Sequence, residues 1–205
     1  MAKLESEMGI HSTFYFRTKP HVFKPEVIAE ISRLGHEIGY HYESLSDTNG
    51  DMSRTLEDFK RNLRKLRKVV PVQTISMHGR PLRPYDNRDI WRDPLNHEHL
   101  VEEMAVLGEV YLDIDYRDIV YITDTGRNWS PVRSNIRGYI ESSRKLDFKN
   151  GLELYQYLNS NPYPCLIFQV HPERWTESLP DYFLSVCVDA IANSTKKAVN
   201  FVRNK

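Results

Sequence analysis

The sequence predicts an α/β fold built on a mainly parallel sheet, open or closed into a barrel. Three observations predict it. Short β-branched and aromatic runs alternate with amphipathic helical stretches over most of the length. Several strand candidates are almost wholly apolar, as parallel strands buried on both faces are. No internal repeat or low-complexity linker breaks the alternation. A chain of 205 residues suits one domain spanning 1–205 with a sizeable core. In such folds the chemistry sits at the C-terminal ends of the strands.

Ile10 to Phe16 reads as the first strand. Pro25 then opens a helix whose Val27, Ile28, Ile31 and Leu34 share a face, and Gly35 stops it. Glu37 to Glu43 is a second strand. A helix from Ser53 to Val69 carries Leu56, Phe59, Leu63 and Leu66 as its apolar stripe, with Arg and Lys on the wet side. Val72 to Met77 is a third strand, ending at His78-Gly79. Residues 79–108 are punctuated by Pro81, Pro84, Asn87 and Pro94 and predict a long loop with short helical turns. Val110 to Ile114 and Ile119 to Thr123 read as strands, followed by a turn at Asp124-Thr125-Gly126. A helix over Leu152 to Leu158 precedes the strand Cys165 to Val170. Pro180 starts a last helix with Phe183, Leu184, Cys187 and Ile191 expected inward.

Composition narrows the function. Lys+Arg and Asp+Glu both total 28, so the formal charge is zero, which argues against a general nucleic-acid binder. No apolar run approaches the roughly 20 residues needed to cross a bilayer. The polar start, Met1 to Glu7, lacks a secretory apolar core, so a cytoplasmic protein is expected. Cys165 and Cys187 make neither a disulfide framework nor a zinc knuckle and are expected as reduced, packed thiols. The Asn-x-Ser/Thr triplets at Asn128 and Asn193 read as chance.

Three of the eight histidines, His41, His78 and His171, fall at the C-terminal end of an expected strand. Neutral imidazole is both the commonest metal ligand and an acid–base group near neutral pH. Alternation puts His41 and Glu43 on one face, where they can share a cation or where Glu43 can orient His41; a plain polar pair is the bland alternative. His36 points the other way and reads as structural. His78 precedes Gly79-Arg80-Pro81, a sharp turn. Gln169 and His171 point the same way from an apolar strand, which packing alone does not explain. Asp113 and Asp115 share a face of their expected strand, either as a working carboxylate pair or as solvated residues. Asp124 is either turn chemistry or an acid, with Arg127 and Trp129 beside it suited to hold a sugar.

These residues carry a resemblance. Gly35-His36-Glu37-Ile38-Gly39-Tyr40-His41 resembles the second motif of the polysaccharide deacetylases, the chitin-deacetylase-like carbohydrate esterases. Gly9 to Phe16 resembles the strand before that motif, and Val170-His171 resembles the closing leucine-x-histidine motif. Met77-His78-Gly79, Tyr111 to Asp115 and Asp124-Thr125-Gly126-Arg127 resemble a divergent branch. The resemblance implies a distorted (β/α) barrel, N-terminally incomplete, and hydrolysis of an N- or O-acetyl group on a sugar, assisted by a divalent metal, zinc first. It implies His41 as a metal ligand and His171 as the group that protonates the leaving group. Three positions depart from the pattern. The aspartate pair of the opening strand is missing, since the first Asp is Asp47, so the opening strand itself is expected to be absent. Leu45 stands where a second metal histidine belongs, leaving the metal site incomplete, with Glu43 or His78 as the substitutes. Arg80-Pro81 and Arg83-Pro84 compete for the arginine-proline motif, with Arg80 a substrate-binding candidate.

Three functions follow: a carbohydrate deacetylase-type hydrolase, inactive in this form if its metal site is too incomplete; a non-catalytic carbohydrate-binding or structural relative; and another metal-dependent barrel hydrolase such as a phosphoesterase. An absent strand would also leave an open sheet edge, which a homodimer would cover.

Overall fold

The computed structural model describes residues 1–80, 82–127, 129, 140, 146–160, 165–176 and 178–203. Pro81 and Asn128, named above, lie outside them. The chain divides into two compact units, Met1–Ile114 and Asp115–Lys205. Both are α/β with parallel strands, and no closed barrel is found among the described residues.

The first unit holds a parallel sheet in the order β1 (Thr13–Phe16), β2 (Glu37–Tyr42), β3 (Thr74–Met77), β4 (Gly108–Glu109). After α1 (Ala2–Glu7) and β1, Pro25 sits in the first turn of α2 (Pro25–Arg33), where its missing N–H costs nothing. Gly35, at φ +92°, turns the chain out of the helix. Ile28 is buried, as expected, but Val27 is exposed. The short α3 (Ser44–Asp47) follows β2 directly. Asp51 caps α4 (Met52–Arg67) by accepting from the Arg54 N–H at 3.1 Å. Phe59, Leu63 and Leu66 of α4 are buried against Tyr40, Tyr42 and Ile75 of the sheet.

Two expectations fail here. Residues 79–108 are not mainly loop: beyond a 3-10 turn at Asn87–Ile90 they form the 11-residue helix α5 (Pro94–Met104). Pro94 is its first residue, not a loop signal, and Leu100, Val101 and Met104 meet the core. Val110 to Ile114 is not a strand but the single turn α6 (Val110–Asp113), with β4 just before it. Side chains decide that local choice. Glu109 accepts from the Tyr111 N–H at 2.7 Å, and Asp113 accepts from the Glu109 N–H at 2.6 Å. Such bonds offer the backbone an alternative to the ladder.

The second unit pairs β5 (Val120–Thr123) with β6 (Leu166–Gln169) in parallel, Thr123 opposite Gln169. Leu154 of α7 (Gly151–Ser160) packs with Val120, Ile122 and Phe148. The last helix, α8 (Leu179–Arg203), corrects the expected inward stripe: Phe183, Leu184, Cys187 and Ile191 are exposed. Its polar side faces the unit instead, because Asp189 and Ser185 accept from Arg127 at 2.7 and 2.6 Å. Cys165 is exposed too, so neither thiol is packed as expected. No helix among the described residues is long and apolar enough to cross a membrane.

Candidate functional site

In the first unit, register builds the site. The β2–β3 pairing sets His41 opposite Ser76 and Tyr42 opposite Met77, so the next residues, Glu43 and His78, leave the sheet side by side. Nδ1 of His78 lies 2.9 Å from a Glu43 oxygen, and Nδ1 of His41 lies 2.9 Å from the Ser76 carbonyl. The two imidazole rings are 5.0 Å apart, edge to face. The loop after β3 is held in place by buried Asn87, which donates to the His78 carbonyl at 2.9 Å and accepts from the Ser46 N–H at 3.0 Å.

Glu43 is buried, yet strongly charged neighbours surround it. Arg17 donates to it at 2.8 Å, Lys19 stands at 3.5 Å and Arg80 at 3.7 Å. Burial pushes its carboxyl up, but the hydrogen bonds and charges of His78 and Arg17 outweigh burial and hold it well below the usual carboxylate range. Asp47 binds Lys19 and accepts from Arg80 at 2.6 Å, so Arg80 braces this ion cluster. A cavity of about 320 Å³ opens beside it, lined in part by Lys19, His41, Glu43 and Asp47.

The second unit holds the other histidine. The Asp124 N–H donates to the Gln169 carbonyl at 3.2 Å, which continues the β5–β6 register past the strand ends. Asp124 then bridges the start of the next loop. One of its oxygens lies 2.5 Å from Nδ1 of His171, and the other accepts from the His171 N–H at 2.9 Å. Arg174 donates to Asp124 at 2.9 Å and also approaches Nδ1 of His171, at 2.7 Å. A carboxylate only accepts, so the proton between Asp124 and His171 belongs to Nδ1. Burial raises the Asp124 carboxyl, but His171 and Arg174 overcome that and lower it.

The remaining expectations divide. Asp113 and Asp115 do not form a carboxylate pair on one strand face, because α6 replaces that strand. Asp113 meets Nε2 of His97 at 2.8 Å and closes the α6 turn, while Asp115 is exposed and paired with Arg117. Arg127 spends its guanidinium on Asp189 and Ser185 of α8. Trp129 stacks on Phe168, with centroids 5.1 Å apart and planes at 19°. His36 is buried with both ring nitrogens bonded, to the Ser12 N–H at 3.2 Å and the Ala2 carbonyl at 2.9 Å. Arg17, Lys19 and Asp47 in one unit, and Arg174 and Trp175 in the other, join these clusters without having been singled out in the sequence. Trp175 donates to Asp124 at 3.3 Å, and only its place four residues after His171 hinted at this.

The donor set fits a divalent cation only in part. Among the described residues no group of three His, Cys, Asp or Glu side chains is arranged to hold an ion. Glu43 does not fit as a ligand, since Arg17, Lys19, Arg80 and His78 claim its oxygens. His78 has one of the features of a ligand, since metal-bound imidazoles commonly anchor the other nitrogen on a carboxylate, here Glu43. No family model, curated protein or solved structure matches the chain.

Proposed function

We propose that the chain is a carbohydrate deacetylase-type hydrolase with a (β/α) barrel of that family's type. One observation carries the reading. His41, His78 and His171 all follow or end parallel strands, and all are anchored through Nδ1, on Ser76, Glu43 and Asp124. His36 and His97, unlike His78 and His171, have both ring nitrogens bonded by protein. Among the described residues no hydrogen bond reaches Nε2 of His78 or His171. An anchored imidazole presents one nitrogen in a fixed direction and tautomer, which suits ligation or proton transfer.

His78 would hold the cation, zinc first, with Glu43 behind it and the His41 ring 5.0 Å away. When bound, it would polarise the acetyl carbonyl and acidify a water. Within the second unit, His171, held with Nδ1–H on Asp124, is suited to take a proton from water at Nε2. The imidazolium so formed lies beside the Asp124 carboxylate, which stabilises it, and then gives the proton to the leaving amine or alkoxide. Acetate and the deacetylated sugar result.

The test is acetate release from N-acetylated chito-oligosaccharides and O-acetylated xylo-oligosaccharides, with phosphate esters as controls. We expect turnover that zinc or cobalt raises and a chelator removes. His171→Ala should lower kcat about 10²–10⁴-fold, and His78→Ala should weaken metal binding. No acetate from any acetylated sugar at saturating metal would sink the proposal.

A second reading has its own support. The four cationic or imidazole groups around Glu43 leave the cation without a carboxylate ligand, as in a relative that keeps sugar binding and has lost turnover. Sugar binding by the wild type without acetate release would select it. Under either reading, β1 pairs only with β2 among the described strands, an edge that a second copy of the chain would cover in a homodimer.

A further inference from the structure

Three aromatic side chains gather beside the His171–Asp124 pair, in the same unit. Trp175 follows one turn after His171, where Pro172–Arg174 forms a 3-10 helix. Its indole N–H is fixed on Asp124 at 3.3 Å, and its ring meets Trp129 edge-on with centroids 6.1 Å apart. Trp129 in turn stacks on Phe168. Large aromatics normally hide most of their surface, yet Trp175 is 53 % and Phe168 42 % exposed. The indole of Trp175 is thus held by its N–H and one edge while much of its surface meets solvent.

We propose that Trp175 is the platform on which a pyranose ring of the substrate stacks, next to Nε2 of His171. The proposal rests on the hydrolase reading and names a residue and ligand chemistry for that site. A pre-oriented indole binds a flat apolar sugar face at low entropic cost, since few rotors remain to be ordered. Polar groups rim the ring, as ligand sites require. Both signs of charge occur there: Asp124 beside Arg174, and Asp189 between Arg174 and Arg127. Those guanidiniums are committed to carboxylates, so among the described residues the site offers no surplus positive charge for a phosphate backbone. Mixed donors and acceptors around an aromatic face match a neutral polyhydroxylated ligand better than a nucleic acid, which also stacks but draws on a basic groove.

The experiment uses the full chain treated with chelator, so that binding is read without turnover. Tri-N-acetylchitotriose and an acetylated xylotriose are titrated by calorimetry and by tryptophan fluorescence. Trp175→Ala should weaken binding about tenfold or more, as loss of a stacking ring does, while Trp175→Phe retains most of the affinity. Trp129→Phe leaves buried Trp91 and exposed Trp175 as the reporters, and its fluorescence should still change on adding sugar. That measurement decides the matter even if Trp175→Ala does not fold. Unchanged affinity in a folded Trp175→Ala, or no sugar-induced change in Trp129→Phe, overturns the platform and leaves the acetate-release assay to judge the hydrolase reading. Failure of both sugars to bind the wild type overturns the platform, and absent acetate release then removes the hydrolase reading as well. Preferential binding of single-stranded oligonucleotide, lost in Trp175→Ala, also overturns it.

Discussion

Two buried glutamates of the first unit titrate in opposite directions, and the difference lies in who touches them. Glu109 is fully buried and accepts from the Met77 and Tyr111 N–H groups at 2.8 and 2.7 Å, but among the described residues no side-chain cation bonds it directly. Burial dominates and pushes its carboxyl up to about 7. Glu43 has Arg17 and His78 in contact and is lowered instead. For Glu109 the folded state holds its proton more tightly than the unfolded state. Its contribution is therefore complete below the unfolded value of 4.5 and is lost as pH rises through about 7. The loss is at most roughly 3 kcal/mol by the pKa difference. Urea unfolding at intervals from pH 4.5 to 8 should show wild-type stability falling across that window, and Glu109→Gln should flatten the fall. An unchanged slope in the variant would show that another group causes it. The histidines were legible in the sequence because strand ends are local features. Their partners were not: Arg17 is 26 residues from Glu43, and Asp124 is 47 from His171, so only the register brings them together.

At the scale of elements, strand and helix order was largely readable, and the errors have local causes. A capped turn at Glu109–Asp113 defeats an apolar run that looks like a strand, and Pro94 starts a helix rather than breaking a loop. Amphipathicity was read correctly on α8 but gave the wrong side, because periodicity reports a stripe and not what the stripe faces. The ion pairs of Asp189 decide that, and they join α8 to residues distant in sequence. The strand β2 shows the opposite case, where one glycine is dictated by a neighbour. A Cβ on Gly39 would stand 2.2 Å from Cε1 and 2.4 Å from Cδ1 of Tyr15 on β1. That ring cannot easily yield, since its hydroxyl donates to Thr74 on β3 at 3.0 Å. Gly39→Ala should therefore cost about 1–3 kcal/mol, as overpacking does, read as a lower urea midpoint. It should also disturb His41, whose ring centroid is 6.5 Å from that of Tyr15. A midpoint within error of wild type would mean that β1 and β2 separate more readily than their register implies.

The α/β class was legible because alternating apolar runs and amphipathic stretches survive any local misreading. How the buried surface is shared out was not, since burial depends on contacts that no window of sequence contains. Among the described residues, sixteen buried side chains form one cluster in the first unit, from Ile28 to Val106. The cluster around β5 in the second unit has four: Val120, Ile122, Phe148 and Leu154. Among the described strands, the first unit pairs four in one sheet, while the second pairs β5 with β6. Local opening draws on buried apolar contacts and protected backbone bonds, so regions poor in both open at lower free energy. Hydrogen exchange on the intact protein should then find the amides of β2 and β3 protected at least about tenfold more than those of β5 and β6. The consequence reaches function, because Asp124 and His171 would then be carried by the more easily opened ladder, and a ligand that orders them should raise protection there first. Equal protection across both ladders without ligand would mean that the chain opens as one cooperative body, and that the small cluster around Leu154 is supported by far more than its own contacts.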